Sequence, residues 1–256
     1  MQTAEFTKLK DMSSTMLESV RALRTNIQFC GDDVRTILFT STMPDEGKST
    51  VVLNLARAMG ESGKKVLVLD TDMRKSVIMR ENGVVVEGTD HDQVFGMSHY
   101  LSGQKSREEV IYQTSMKRVD IVFAGRSVPN PTEMLSKHYF TDLLEYGRET
   151  YDYVLIDCAP VTAAIDAVLA AHYCDGAVLV IEQGAISSRA VQDSRKQLEN
   201  SGVRILGAVL NKVHMEGSHY GKYYGRYYGK YYGSYYGKYY GKYYGHDASE
   251  QKEKGS

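Results

Sequence analysis

Short apolar runs alternate with amphipathic stretches over the first 212 residues. Residues 36–40 (TILFT), 66–70 (VLVLD), 119–123 (VDIVF), 153–157 (YVLID), 176–181 (GAVLVI) and 204–210 (RILGAVL) are continuous apolar segments of strand length. Helical patterns lie between them. Residues 13–29 place Leu17, Val20, Leu23 and Ile27 near a 3.6 period behind a capping Ser13 or Ser14. A helix is expected from about 49 to 61, stopped by Gly63, and another over 132–146 after the Asn130-Pro131 breaker. Residues 163–173 and about 187–200 complete the alternation, whereas 75–95 show little periodicity and read as an excursion or mobile loop. Strands that are apolar throughout are buried on both faces, and strands alternating with helices need crossovers. The pattern therefore predicts a three-layer α/β domain, residues 1–212, around a mostly parallel sheet.

The pattern changes beyond that point. Residues 213–219 read as a linker, and 220–245 repeat with period four, roughly Tyr-Tyr-Gly-Lys. Thirteen of the 20 tyrosines fall there: Tyr220, Tyr223, Tyr224, Tyr227, Tyr228, Tyr231, Tyr232, Tyr235, Tyr236, Tyr239, Tyr240, Tyr243 and Tyr244. With a glycine in every repeat and no aliphatic residue, the segment cannot offset the entropy of ordering, so 220–256 is expected to be disordered when free.

Charge sharpens this division. The chain of 256 residues has a net charge of −1, but residues 220–245 carry five Lys/Arg and no acid, which leaves −6 on the remainder. That balance excludes a generally basic nucleic-acid binder. Cys30, Cys158 and Cys174 form no C-x-x-C pair, which suits a reducing compartment and disfavours a disulfide framework or a zinc site. No signal-like apolar region precedes residue 10, and no run of about 18 apolar residues could span a bilayer. A cytoplasmic chain follows, with any membrane connection made through a partner.

The candidate chemistry sits at strand ends. Thr42-Met-Pro-Asp45-Glu46-Gly47-Lys48-Ser49-Thr50 is a Walker A loop with Thr42 at the usual first glycine. Placed between an apolar strand and a helix, it predicts the P-loop NTPase fold. Loop N–H groups and the helix N-terminus would converge on phosphate oxygens. Lys48 would neutralise the β- and γ-phosphates of ATP, and Ser49 would ligate Mg²⁺. Asp70 and Asp72 end the second strand, and Asp157 ends the fourth, Walker B-like. Carboxylates there can reach the crevice where open α/β sheets bind ligands.

The order of Walker A, Asp70-x-Asp72-x-Arg74 after the next strand, and a late Walker B resembles bacterial tyrosine kinases. Glu18-x-x-Arg21-x-x-Arg24 on the first helix, Arg24-Thr-Asn-Ile27, Asn130-Pro131 and the C-terminal tyrosine cluster extend the resemblance over most of the chain. It implies a cytoplasmic protein-tyrosine kinase of a capsular or exopolysaccharide synthesis system, of the type whose membrane activator is a separate chain. It further implies that Asp70 and Asp72 bind metal and activate the tyrosine hydroxyl, and that Asp157 is the Walker B acid. Glu18, Arg21 and Arg24 would join subunits into a ring, and Asn211 would sit where related ATPases read adenine. The tail tyrosines become phosphoacceptors, served largely by neighbouring subunits. The implied partners are a transmembrane polysaccharide co-polymerase holding the kinase at the inner face of the membrane, and a protein-tyrosine phosphatase. One departure is Ala159, where the family usually carries the first proline of Asp-x-Pro-Pro.

Two other readings stay open on the residues alone. One is an ATPase switch of the partition or septum-positioning type. Those proteins carry a signature lysine five residues before the Walker lysine, and Met43 stands there instead. The other is a non-catalytic nucleotide-binding scaffold whose tail binds polysaccharide. A glycine-rich segment of about 16 residues has an r.m.s. span of roughly 20–24 Å, enough for its own or an adjacent site.

Overall fold

The computed structural model describes residues 2–89 and 93–213. Val213 is the one residue of the expected linker within that span, and the tail 220–256 lies outside it.

The chain opens with a short strand, β1 (Thr3–Phe6), and a 15-residue helix, α1 (Ser14–Gln28). Ser13 caps α1 by accepting the Met16 N–H at 3.3 Å. A first βα unit follows, β2 (Thr36–Ser41) and α2 (Lys48–Glu61). Next comes β3 (Val66–Asp70) and then an excursion, α3 (Ile78–Glu81), β4 (Val84–Val86), α4 (Met97–Leu101), α5 (Arg107–Val110) and β5 (Tyr112–Thr114). The chain returns through β6 (Val119–Val122), α6 (Pro131–Leu135), α7 (His138–Thr150), β7 (Tyr153–Asp157) and α8 (Asp166–Ala171). It ends in β8 (Gly176–Glu182), α9 (Ser188–Glu199) and β9 (Ile205–Asn211).

The sheet order is β4-β1-β5-β6-β3-β7-β2-β8-β9. The run from β6 to β9 is parallel throughout, as continuous apolar strands require. Alternate side chains feed two cores. Leu38, Leu67, Leu69, Val154, Ile156 and Leu179 face one, with Phe140, Leu143, Leu144 and the α8 alanines. Ile37, Phe39, Val66, Val68, Leu155 and Val178 face the other, filled by Val52, Leu53, Leu55 and Met59 of α2. This is the expected three-layer architecture. Gly60 shows how closely α2 lies on its neighbours, since a Cβ there would stand 2.0 Å from the Lys117 carbonyl oxygen.

One expectation is filled out and one is corrected. Residues 75–95 hold α3 and β4, and β4 extends the sheet by antiparallel pairing with β1 (Ala4↔Val86, Phe6↔Val84). Strands of three and four residues show too little periodicity to be read, and their partners are some 80 residues away. The helix expected over 132–146 is two helices. Lys137 adopts an extended backbone (φ −81°, ψ 155°) between α6 and α7. No glycine or proline marks that break. It lets α6 pack beside α8 while α7 buries Phe140, Leu143 and Leu144 under the sheet.

Among the described residues, no helix is long and apolar enough to cross a membrane.

Candidate functional site

The phosphate-binding loop links the end of β2 to α2. Two of its residues adopt left-handed backbone, Asp45 (φ 65°) and Gly47 (φ 83°). Gly47 is required twice over, because a Cβ there would also lie 2.3 Å from the Asn211 amide nitrogen. Glu46 is 2% exposed, and its carboxylate accepts the N–H of Met43 at 2.7 Å and of Glu182 at 2.9 Å. Its side chain therefore braces the loop, and only its backbone is available to a ligand. Asn211 likewise turns its amide to the loop, donating to the Glu46 carbonyl at 2.8 Å.

The strand register brings the acids together. β3 and β7 are neighbours, and Asp70 stands opposite Asp157 across the pair. Lys48 reaches into this group, with Nζ 3.4 Å from Asp72 Oδ2. Ser49 Oγ donates to Asp157 Oδ2 at 2.5 Å. Asp70 accepts the Ser76 hydroxyl at 2.5 Å and the Asp72 N–H at 3.2 Å. Asp72 accepts the Lys75 N–H at 3.0 Å. Three carboxylates, each at most 5% exposed, thus share one lysine.

Their titration reflects that crowding. Burial, then the Asp157 charge, pushes Asp70 up to about 8. Burial also raises Asp157 to about 6, with Lys48 and the Ser49 hydroxyl opposing. Burial pulls Lys48 down, but the charges of Asp157, Asp72 and Asp70 outweigh it and raise the ammonium overall. The site holds more buried negative charge than its single lysine compensates.

A divalent cation fits this donor set. Asp157 Oδ1 is buried without a hydrogen-bond partner, beside the Ser49 hydroxyl, and all the donors are hard oxygens. Among the described residues, no three His, Cys, Asp or Glu side chains form a ready-made metal cage. Mg²⁺ does not need one, since it takes one or two protein ligands and completes its shell from phosphate and water.

A cleft of about 400 Å³ opens above. The loop residues Asp45, Gly47, Lys48, Ser49 and Thr50 form its floor, and Asp72, Arg74, Val77 and Glu81 one wall. Ala159, Pro160 and Ala163 form the other, and Lys212 lines the cleft as well.

Arg74 is held at this mouth by residues the sequence reading did not assign to the site. Asp166, 1% exposed at the start of α8, accepts Arg74 Nε at 2.7 Å and Nη2 at 3.3 Å. The Thr132 hydroxyl of α6 donates to the same carboxylate. A lone Asp nine residues after Asp157 reads as an ordinary helix start. Only its burial against Arg74 distinguishes it.

The three α1 residues are not equivalent. Glu18 and Arg21 form an exposed ion pair at 2.8 Å. Arg24 turns inward and donates to the Ala58 carbonyl of α2 at 3.0 Å. The candidate phosphoacceptor tyrosines lie outside the described residues.

Comparison with known proteins bears on this geometry. A family model described as an AAA domain matches residues 34–201. A tyrosine-protein kinase, CpsD of Streptococcus agalactiae, is 37% identical over 214 residues, 84% of this chain and 90% of that protein. The solved kinase domain of the Escherichia coli tyrosine kinase ETK is 32% identical with a TM-score of 0.73, over 79% of this chain and 78% of that one. The septum site-determining protein MinD of Pyrococcus horikoshii, complexed with Mg-ADP, is 25% identical with a TM-score of 0.59, over 72% of each chain.

Proposed function

This chain belongs to the bacterial tyrosine kinases, and from that premise we propose that it transfers the γ-phosphoryl group of ATP to tyrosines of its own C-terminal cluster. Tyr220 to Tyr244 are the acceptors, mainly on neighbouring copies in a ring joined through Glu18, Arg21 and Arg24. The kinase works at the inner face of the cell membrane, held by a separate transmembrane polysaccharide co-polymerase. A protein-tyrosine phosphatase resets it, and the cycle regulates capsular or exopolysaccharide synthesis.

One observation carries the reading of the cleft. Lys48 is buried among three strand-end carboxylates, and the one nearest Ser49 keeps an unpartnered oxygen. That is the donor set of a magnesium-nucleotide site. Ser49 and Asp157 would hold Mg²⁺, which when bound neutralises charge on the phosphates. Lys48 and the loop N–H groups would orient the triphosphate in line with the incoming phenol.

Free tyrosine has a pKa near 10, so its proton needs an acceptor. Asp72 lines the cleft and is assigned that role. Asp70 is second, because it is fully buried with its oxygens engaged by Ser76 and the Asp72 N–H. The transfer balances: the phenol oxygen gains the phosphoryl group, the carboxylate takes the proton, and ADP leaves.

The test is incubation of the pure protein with ATP and Mg²⁺, read for phosphotyrosine. Lys48→Met is expected to abolish the signal while circular dichroism stays unchanged. Persistent phosphotyrosine in that variant would contradict the site assignment. Free phosphate without modified tyrosine would indicate an ATPase switch, and neither product a scaffold.

A further inference from the structure

Beyond the end of β9, the chain is fastened to the phosphate-binding loop at the rim of the cleft, which Lys212 also lines. Lys212 Nζ donates to the Asp45 carbonyl oxygen at 2.6 Å and to Glu182 Oε2 at 2.8 Å. Asn211 Nδ2 donates to the next carbonyl, that of Glu46, at 2.8 Å. Glu182 closes the circuit by giving its own N–H to the Glu46 carboxylate at 2.9 Å. Two peptide carbonyls in succession are thus held by the root of the tail.

That has a consequence for the other side of each peptide. In a trans peptide the carbonyl and the N–H point in opposite directions. Drawing the carbonyls of Asp45 and Glu46 outward turns the N–H groups of Glu46 and Gly47 the other way. Neither N–H meets a protein acceptor among the described residues. Consecutive free N–H groups in a turn with left-handed residues form an anion-binding concavity. The arrangement is conformationally costly, because Asp45 (φ 65°) and Lys212 (φ 52°) are two of only three non-glycine residues with positive φ among the described residues. Left-handed backbone is unfavourable for an L-residue, and here both such residues share one hydrogen bond.

We propose that Lys212, with Asn211, is a positioning residue of the phosphate-binding loop, holding the loop carbonyls so that the Glu46 and Gly47 N–H groups present to phosphate. Lys212 acts through the loop and not on the transferred group. The inference rests on the reading of the cleft as a nucleotide site.

The experiment uses the full-length chain and measures MgADP affinity by calorimetry alongside kcat and KM for ATP. Lys212→Met is expected to weaken MgADP about tenfold and raise KM in step, with kcat within about twofold. Lys212→Arg, which keeps a cationic donor, should recover most of the loss. Glu182→Gln, which releases the other end of the ammonium, should weaken MgADP about threefold, and the double variant should be no weaker than Lys212→Met alone. If Lys212→Met does not fold, Glu182→Gln and Lys212→Arg decide the matter by the same readout. Wild-type affinity in Lys212→Met or Glu182→Gln would overturn the proposal. So would a fall in kcat with MgADP binding intact, which would place Lys212 in the chemistry. Failure of the wild-type protein to bind MgADP would overturn the nucleotide reading itself, and this inference with it.

Discussion

Asp70 stands in an environment that opposes its own ionisation. It is fully buried, faces Asp157 across the strand pair, and titrates at about 8. A carboxyl raised in the folded state binds more protons than the unfolded chain between about 4 and 8. The stability it contributes is therefore complete below about 4 and is lost as pH rises towards 8. Asp157 adds the same trend between about 4 and 6. The nucleotide-free protein is thus expected to melt at a lower temperature at pH 8 than at pH 5.5. Asp70→Asn should remove most of Asp70's share of that slope and stabilise the protein at pH 8 by about 1–3 kcal/mol, because a buried, poorly compensated charge is lost. For a chain of this size that is several degrees, readable by calorimetry. Phosphotyrosine formation should fall at the same time, the usual conflict between stability and a site built for a charged ligand. A pH-independent melting temperature in the wild type would refute this account. At this scale the sequence was legible where chemistry follows from position. Lys48 and Ser49 open α2, Asp70 and Asp157 end their strands, Asp72 follows just after β3, and folding brings them together. Glu46 was not legible, because nothing in Asp-Glu-Gly-Lys says that its carboxylate turns back onto Met43 and Glu182.

Among elements, the join between the Asp70–Lys75 turn, α6 and α8 matters most to the cleft. Arg74, Thr132 and Asp166 meet there from three parts of the chain. Ser127 and Val128 add bonds from the segment after β6 to the carbonyls of Arg74 and Met73. Asp166→Ala should release Arg74 from the cleft mouth. A fully buried pair broken in this way costs about 3–5 kcal/mol. Arg74 is 39% exposed and can rehydrate, so a loss of about 1–3 kcal/mol is expected, seen as a lower urea midpoint. Kinase activity should fall more than the folded fraction does. Activity that merely tracks the folded fraction would show that the pair is structural only. The elements carrying the walls were readable in advance because their apolar periods are long. The break between α6 and α7 was not, since it is set by what each half packs against. The same holds for β1 and β4, which pair across some 80 residues, and for β5, which joins the distant β1 as well as its neighbour β6.

At the scale of the molecule, the charge division bears on the proposed assembly. The core and remaining termini carry −6, while residues 220–245 carry +5. Each phosphotyrosine adds about −1.5 to −2 at neutral pH, so three or four would overturn the positive segment. Subunits of the proposed ring would then repel one another, and phosphorylation is expected to drive dissociation. Light scattering before and after ATP checks this, and an unchanged assembly would count against it. The sequence by itself determined the layered parallel architecture, the phosphate loop, the strand-end acids and the kinase resemblance. These are local properties: a run of apolar residues, a glycine before a lysine, an acid where a strand stops. Tertiary structure alone decided which groups face the ligand and which brace those that do. Glu46, Asp166 and the pair Asn211–Lys212 each have at least one partner between about 90 and 170 positions away. No periodicity encodes such distances, because they follow from the order in which strands enter the sheet.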